Sequence, residues 1–223
     1  MNFYKILNEK ENHNELQYKT GLNIDPLQFN PSGDCEPGGI YFANKDILGF
    51  LSYGVWIRKV TLPEDSQVYK NPGSPEKWKA NKVILGRKYK ITAKIIQKLI
   101  DEGADPNANN NHALRWAAKN GHLEVVKVLI NSGADPKANN SLALSLAAEN
   151  GHFKVIKLLI EYEADPKALN SYALKWAARI GHLEIVKLLI PISDITETVK
   201  EWTEKFCNNQ EIKNLILNYK KEQ

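Results

Sequence analysis

Between residues 103 and 189 the apolar and polar positions repeat every thirty residues. Gly103-Ala104-Asp105-Pro106 recurs as Gly133-Ala134-Asp135-Pro136 and then as Glu163-Ala164-Asp165-Pro166. Ala117-Ala118 recurs at 147–148 and 177–178, and Gly121-His122 at 151–152 and 181–182. Each Gly-His opens an apolar run: LEVVKVLI, FKVIKLLI and LEIVKLLI. Every unit therefore predicts two antiparallel helices. The first covers about 112–119, with Leu114, Trp116, Ala117 and Ala118 inward; the alanines let neighbouring helices approach closely. The second covers about 123–131 and buries Val125, Val126, Leu129 and Ile130 at helical spacing. Gly121 ends the first helix, because the residue past a helix C-terminus often takes a left-handed conformation that glycine adopts without steric cost. Gly133 stops the second helix and Pro136 forbids its continuation. Glu163 replaces the glycine of the third such turn, which predicts local strain there.

One such helix pair cannot bury its own apolar face, whereas three laid side by side share a continuous core. This pattern resembles the ankyrin repeat. The family's Thr-Pro-Leu-His-x-Ala-Ala segment aligns with His112-Ala113-Leu114-Arg115-Trp116-Ala117-Ala118 and its two successors. Its Gly-His-x-x-x-Val-x-x-Leu-Leu segment matches almost residue for residue. The resemblance implies a protein-binding scaffold. The family's period is usually 33, so the three missing residues, between Pro106 and His112, imply that the projecting hairpin is shortened to a stubby turn rich in Asn107, Asn109, Asn110 and Asn111. The Thr and His that tie the first helix down are replaced by His112/Leu142/Tyr172 and Arg115/Ser145/Lys175. Ile91–Ile100 reads as a leading half-unit. Residues 194–207 and 210–221 read as a degenerate helical cap in which Ile212, Leu215 and Ile216 face inward, Trp202 and Phe206 plug the open end, and Pro191 marks the join.

The first ninety residues lose this spacing. Short β-prone segments alternate with turns: Val55–Leu62, Gln67–Tyr69 and Asn81–Leu85. Asn44–Tyr53 predicts a short helix with Asn44 as N-cap. The fold expected is a small α+β domain (1–90) with a mostly antiparallel sheet, then an all-α ankyrin-like solenoid with short turns (91–193) and the cap (194–223). The segments QYKTGLN, CEPGGIYF, IRKVTLP and WKANKVILGRKY resemble a leader domain carried by ankyrin-type proteins of giant DNA viruses that infect amoebae. That resemblance brings no activity with it. Within Cys35–Phe42, Gly38-Gly39 reads either as a close-approach loop for a ligand, with Cys35 as a thiol and Tyr41 as a stacking platform, or as a tight turn into a strand. Turn chemistry favours the second.

Composition narrows the function. The 223 residues carry 30 basic and 26 acidic side chains, a net charge of +4, too mild for a dedicated nucleic-acid binder. Cys35 and Cys207 form no zinc or disulfide pattern, which suits a reducing, intracellular compartment, with host cytoplasm the expected location. Neither a signal-type apolar run at Met1 nor a membrane-length apolar stretch is present in the sequence. Nucleotide-binding loop, dinucleotide fingerprint, zinc-protease and nucleophile-elbow patterns do not occur. His122, His152 and His182 cannot share a metal, since equivalent positions on neighbouring helices lie about 8–10 Å apart and zinc ligands lie within about 2.1 Å of the ion. They are expected to hydrogen-bond the inter-helix loops, and Trp116 and Trp176 to serve as framework. These readings describe a non-enzymatic, monomeric platform, without cofactor, that binds a host or viral protein. Its expected contact residues are Asn109, Asn111, Arg115, Lys119, Asn139, Ser145, Glu149, Lys175 and Arg179. The rival reading makes residues 1–90 a ligand-binding or transferase-like module that the repeats deliver.

Overall fold

The computed structural model describes residues 2–13, 15–31, 36–73 and 75–220. Cys35 lies outside them. The chain divides into two compact units, Met1–Ala113 and Leu114–Gln223.

In the first unit, β1 (Phe3–Leu7), β4 (Gly21–Ile24), β6 (Trp56–Thr61) and β9 (Lys82–Lys90) form a four-stranded antiparallel sheet in the order β1-β6-β9-β4. A three-stranded antiparallel sheet, β5-β8-β7, is built from β5 (Ile40–Phe42), β7 (Val68–Asn71) and β8 (Lys77–Ala80). The ribbon of β2 (Asn12–His13) and β3 (Leu16–Gln17) stands apart. A Tyr4–Ala43 bridge links β1 to the segment after β5. The core between these elements gathers Leu7, Tyr18, Ile40, Phe42, Val60 and Leu85, with Phe3 edge-on to both Phe42 (5.2 Å) and Trp78 (5.3 Å). Ile47–Tyr53 is a 3-10 helix whose N-cap is Asp46, not Asn44. The Asp46 carboxylate makes no cap bond, because it accepts from the Glu76 backbone N–H at 2.6 Å instead. Gly38 and Gly39 form a tight turn at φ 87° and 145°. A Cβ on Gly38 would stand 2.2 Å from the Gln28 carbonyl oxygen, and one on Gly39 would stand 2.2 Å from the Lys79 side chain. This pair is a packed entry into β5, which buries Phe42 and leaves Tyr41 half-buried. Helix α1 (Ala93–Asp101) starts at Thr92, whose hydroxyl accepts from the Ile95 N–H, and buries Ile96 and Leu99.

The repeats follow as α2 (Ala108–Lys119), α3 (Leu123–Asn131), α4 (Ala138–Glu149), α5 (Phe153–Glu161), α6 (Ala168–Ile180) and α7 (Leu183–Leu189). A 3-10 turn at Ile190–Ile192 contains Pro191, and α8 (Glu197–Phe206) and α9 (Gln210–Leu217) close the chain. In the second unit α4 packs along α5 and α6, α5 against α3, α6 against α7 and α8, and α8 against α9. The alanine pairs at 117–118, 147–148 and 177–178 are all completely buried. The cap differs from expectation in its plug. Val199, Thr203 and Cys207 are the buried residues of α8 and its end, with the Cys207 thiol donating to the Ala178 carbonyl at 3.2 Å. Trp202 is half-buried with its ring 5.1 Å from that of the outward Phe206 and tilted 46° to it, because the register of α8 turns Val199 and Thr203 inward instead.

The shortened turns have a specific form. Three consecutive residues in each take the left-handed conformation: Asn109, Asn110 and Asn111 (φ 54°, 54° and 58°), then Asn139, Asn140 and Ser141, then Leu169, Asn170 and Ser171. Asparagine tolerates this region because its short polar side chain bonds locally, which accounts for its abundance here. Leu169 is the exception at φ 50°, and its side chain is exposed. Leu169→Asn is expected to stabilise the second unit by about 1 kcal/mol, read as a higher urea midpoint at unchanged slope. Glu163 sits at φ 65° where Gly103 and Gly133 sit at 95°, so the strained turn is present. A Glu163–Lys137 ion pair at 2.7 Å spans two repeats there.

Candidate interaction face

The repeats are tied to one another at two recurring points. His152 Nε2 lies 2.9 Å from the Lys119 carbonyl, and His182 Nε2 lies 3.1 Å from the Glu149 carbonyl, so each histidine holds the end of the preceding first helix. Gly121 and Gly151 make room for them: a Cβ would stand 2.6 Å from the His152 ring and 2.8 Å from the His182 ring. The second tie lies at the start of the first helices. Ser141 Oγ accepts from the Asp165 N–H at 2.8 Å, and Ser171 Oγ accepts from the Asp194 N–H at 3.0 Å while donating to its carbonyl at 3.1 Å. Serines at 141 and 171 thus hold the next turn through its aspartate.

These ties fix the outward faces of α4 and α6 and the C-terminal half of α2. Lys119, Asn139 and Arg179 are exposed, and Arg115, Glu149 and Lys175 are half-buried. Two of the nine expected contact residues do not lie on the surface. Ser145 is 5% exposed within α4, and Asn111 is 7% exposed because the left-handed turn folds it inward. Asn109 is occupied inside the first unit, its amide 3.5 Å from the Gly49 carbonyl, and the neighbouring His112 lies 3.1 Å from the Ser52 hydroxyl.

Trp116 and Trp176 are half-buried. Trp116 packs on the His122 ring at 4.9 Å, which gives it a framework role. Trp176 stands edge-on to Tyr172 at 5.8 Å, with the Arg179 guanidinium 4.8 Å from its ring centre. Lys175 lies 5.9 Å from the Tyr172 ring, and burial lowers its pKa. One helix therefore carries two aromatic rings, each with a cation beside it. Leu169 and Ile180, both more than half exposed, lie at its two ends. Tyr172, Leu169 and Ile180 were not among the expected contacts. The signal for them is the thirty-residue comparison itself, since Leu169 and Ile180 stand where the first two units carry Asn109 and Asn139, and Asn120 and Asn150.

Residues 88–170 and 137–199 match the family model for ankyrin repeats (3 copies). The chain belongs to the ankyrin-repeat family. An ankyrin-repeat protein of Acanthamoeba polyphaga mimivirus is 40% identical over 139 residues, an alignment covering 56% of this chain and 45% of that relative. An uncharacterized protein of the same virus is 41% identical over 129 residues, covering 56% of this chain and 94% of the relative. A second mimivirus ankyrin-repeat protein is 36% identical over 130 residues, covering 56% and 64%. The chain thus spans less than half the length of the first of these relatives. Ankyrin repeats are a protein–protein interaction module, here in a chain akin to viral proteins. Among the described residues no helix is long and apolar enough to cross a membrane.

Proposed function

We propose that this ankyrin-repeat protein is a non-enzymatic, monomeric docking platform in the host cytoplasm that binds a host or viral protein through the outward face of its first helices. The observation that carries this reading is the α6 cluster, where Lys175 and Arg179 lie beside the rings of Tyr172 and Trp176. Cations over half-buried aromatics suit an acidic segment with apolar side chains, because rings provide contact area at low entropic cost and the charges steer encounter. Arg115, Lys119, Glu149 and Asn139 extend the surface. The inter-repeat ties hold it rigid, so little ordering entropy is lost on binding.

The test is affinity capture of partners on the full chain, with Arg115, Lys119, Lys175 and Arg179 all reversed to glutamate. Reversal of Lys127, Lys157 and Lys187, exposed on the second helices, is the control. Partners retained by wild type and by the control, and lost from the first-helix variant, are expected. Equal recovery by all three chains would refute this face.

A further inference from the structure

The first unit contains a cavity of about 180 Å³ that neither the repeats nor their ties use. It opens beside β1, between the β2–β3 ribbon, β5 and the 3-10 helix. Its aromatic walls come from Tyr18, Tyr41, Phe50 and Tyr53, and its basic groups are Lys5, His13 and Lys77. None of the described residues lining it is acidic.

Lys5 is the unusual member. It lies between Phe3 and Leu7 on β1, so the two-residue alternation of a strand aims it with them into the core region, and only 7% of it is exposed. Its ammonium donates to the Tyr41 carbonyl at 2.8 Å and rests 4.7 Å from the Tyr18 ring centre. Among the described residues it makes no salt bridge. Directly across the ladder stands Arg58, a like charge. Arg58 has its own carboxylate, Glu11, which it shares with Lys88. On the β5 and β8 side Lys77 and Lys79 bring their ammonium groups to 5.5 and 5.2 Å from the Tyr41 ring centre. Asp25 attracts Lys5 from a distance, but its oxygens accept from the Leu27 and Gly39 N–H groups. His13, on β2, adds positive charge when protonated, and burial lowers its pKa. A buried cation without a carboxylate partner is costly.

We infer that this cavity is a binding site for a small planar aromatic acid, whose carboxylate or phosphate pairs with Lys5 while its ring packs against Tyr18, Tyr41 and Phe50. The size suits one ring system with a single acid group. Burial lowers Lys5 to about 7, so the empty site holds the amine largely neutral above that pH, and an arriving anion recharges it. Binding therefore takes up a proton and weakens as the pH rises. Because His13 titrates below its ordinary 6.5, it stays mostly neutral above that value and adds little to the change. The site lies wholly within the first unit and is independent of the docking face.

Calorimetry on the full chain with indole-3-acetate, phenyl phosphate and the neutral tryptophol tests the inference. At least one acid is expected to bind saturably at pH 6.5 and about 20-fold more weakly at pH 8.5, the change in the charged fraction of an amine titrating near 7. Tryptophol is expected to bind at least tenfold more weakly than indole-3-acetate at pH 6.5. Which acid binds distinguishes a carboxylate site from a phosphate site. Lys5→Met should abolish the pH dependence, and Phe50→Ala, which leaves Lys5 in place, should weaken binding while keeping it. No saturable binding of either acid, equal binding of acid and alcohol, or affinity unchanged between the two pH values would each overturn the assignment, and the last two need only the wild-type chain.

Discussion

Glu11→Ala is expected to destabilise the first unit by about 3 kcal/mol. The Arg58 side chain is only 5% exposed, and its guanidinium reaches the Glu11 carboxylate at 2.8 Å, the Thr20 hydroxyl at 2.8 Å and the Gly86 carbonyl at 2.7 Å. The second Glu11 oxygen accepts from Lys88 at 2.8 Å. An irregularity in the β6–β9 ladder lies between Arg58 and Val60, the kind of bulge that re-aims a side chain. Without Glu11 the buried Arg58 guanidinium keeps its hydrogen bonds to Thr20 and Gly86 but loses the carboxylate that balances its charge. Removing one partner of a buried pair costs more than the pair contributes, because a desolvated charge remains.

The same pair makes the first unit acid-sensitive. Burial alone would raise the Glu11 pKa, but hydrogen bonds and charge attraction from Arg58 and Lys88 outweigh it and lower it. A depressed folded-state value contributes stability that is complete above the unfolded-state value, about 4.3, and is lost as the pH falls through the folded-state value. Native-state amide exchange of β6 and β9 reads both effects. Faster exchange in Glu11→Ala at pH 7, with the difference from wild type shrinking toward pH 3, is expected. Equal protection in the two chains at pH 7 would show that the triad contributes nothing.

Leu144→Ala is expected to cost the second unit about 3 kcal/mol, within the range for truncating a fully buried leucine. Leu144 has no exposed surface and lies in α4, which packs along both α5 and α6. In a repeat array the stability of one unit includes its interfaces with its neighbours, so a cavity in the middle loosens more than its own helix. A urea midpoint lowered at unchanged slope is the expected reading.

The repeats are largely legible in the sequence because their physics is local and periodic. Val125, Val126, Leu129 and Ile130 recur at helical spacing, and glycine at 121, 151 and 181 marks left-handed ends found at φ 68°, 78° and 98°. The left-handed form of the turns was less visible: Asn109–Asn111 signals a turn, but Leu169 takes the same conformation with no such signal, held by the repeats around it. In the first unit β6 stands out by its own β-branched and aromatic run. Strands such as β1 and β8 do not, since Lys5 and Lys79 interrupt their apolar alternation and are nevertheless buried. Their burial depends on partners far away in the chain, Tyr41 for Lys5 above all. The surface proposed for docking is partly legible for the same reason. Lys175 and Arg179 follow from position within a repeat, whereas the burial of Ser145 and Asn111 depends on how the helices and turns are rotated when packed.

The account depends on the helix pairs of the second unit sharing one core rather than standing as separate units. Amide exchange of the full chain carrying Leu144→Ala measures this directly. A shared core predicts that protection falls together in α3, α5 and α6 as well as in α4, with α9, farthest along the chain, least affected. Loss confined to α4, with α3, α5 and α6 exchanging as in wild type, would contradict it and remove the rigid surface on which the proposed docking function rests.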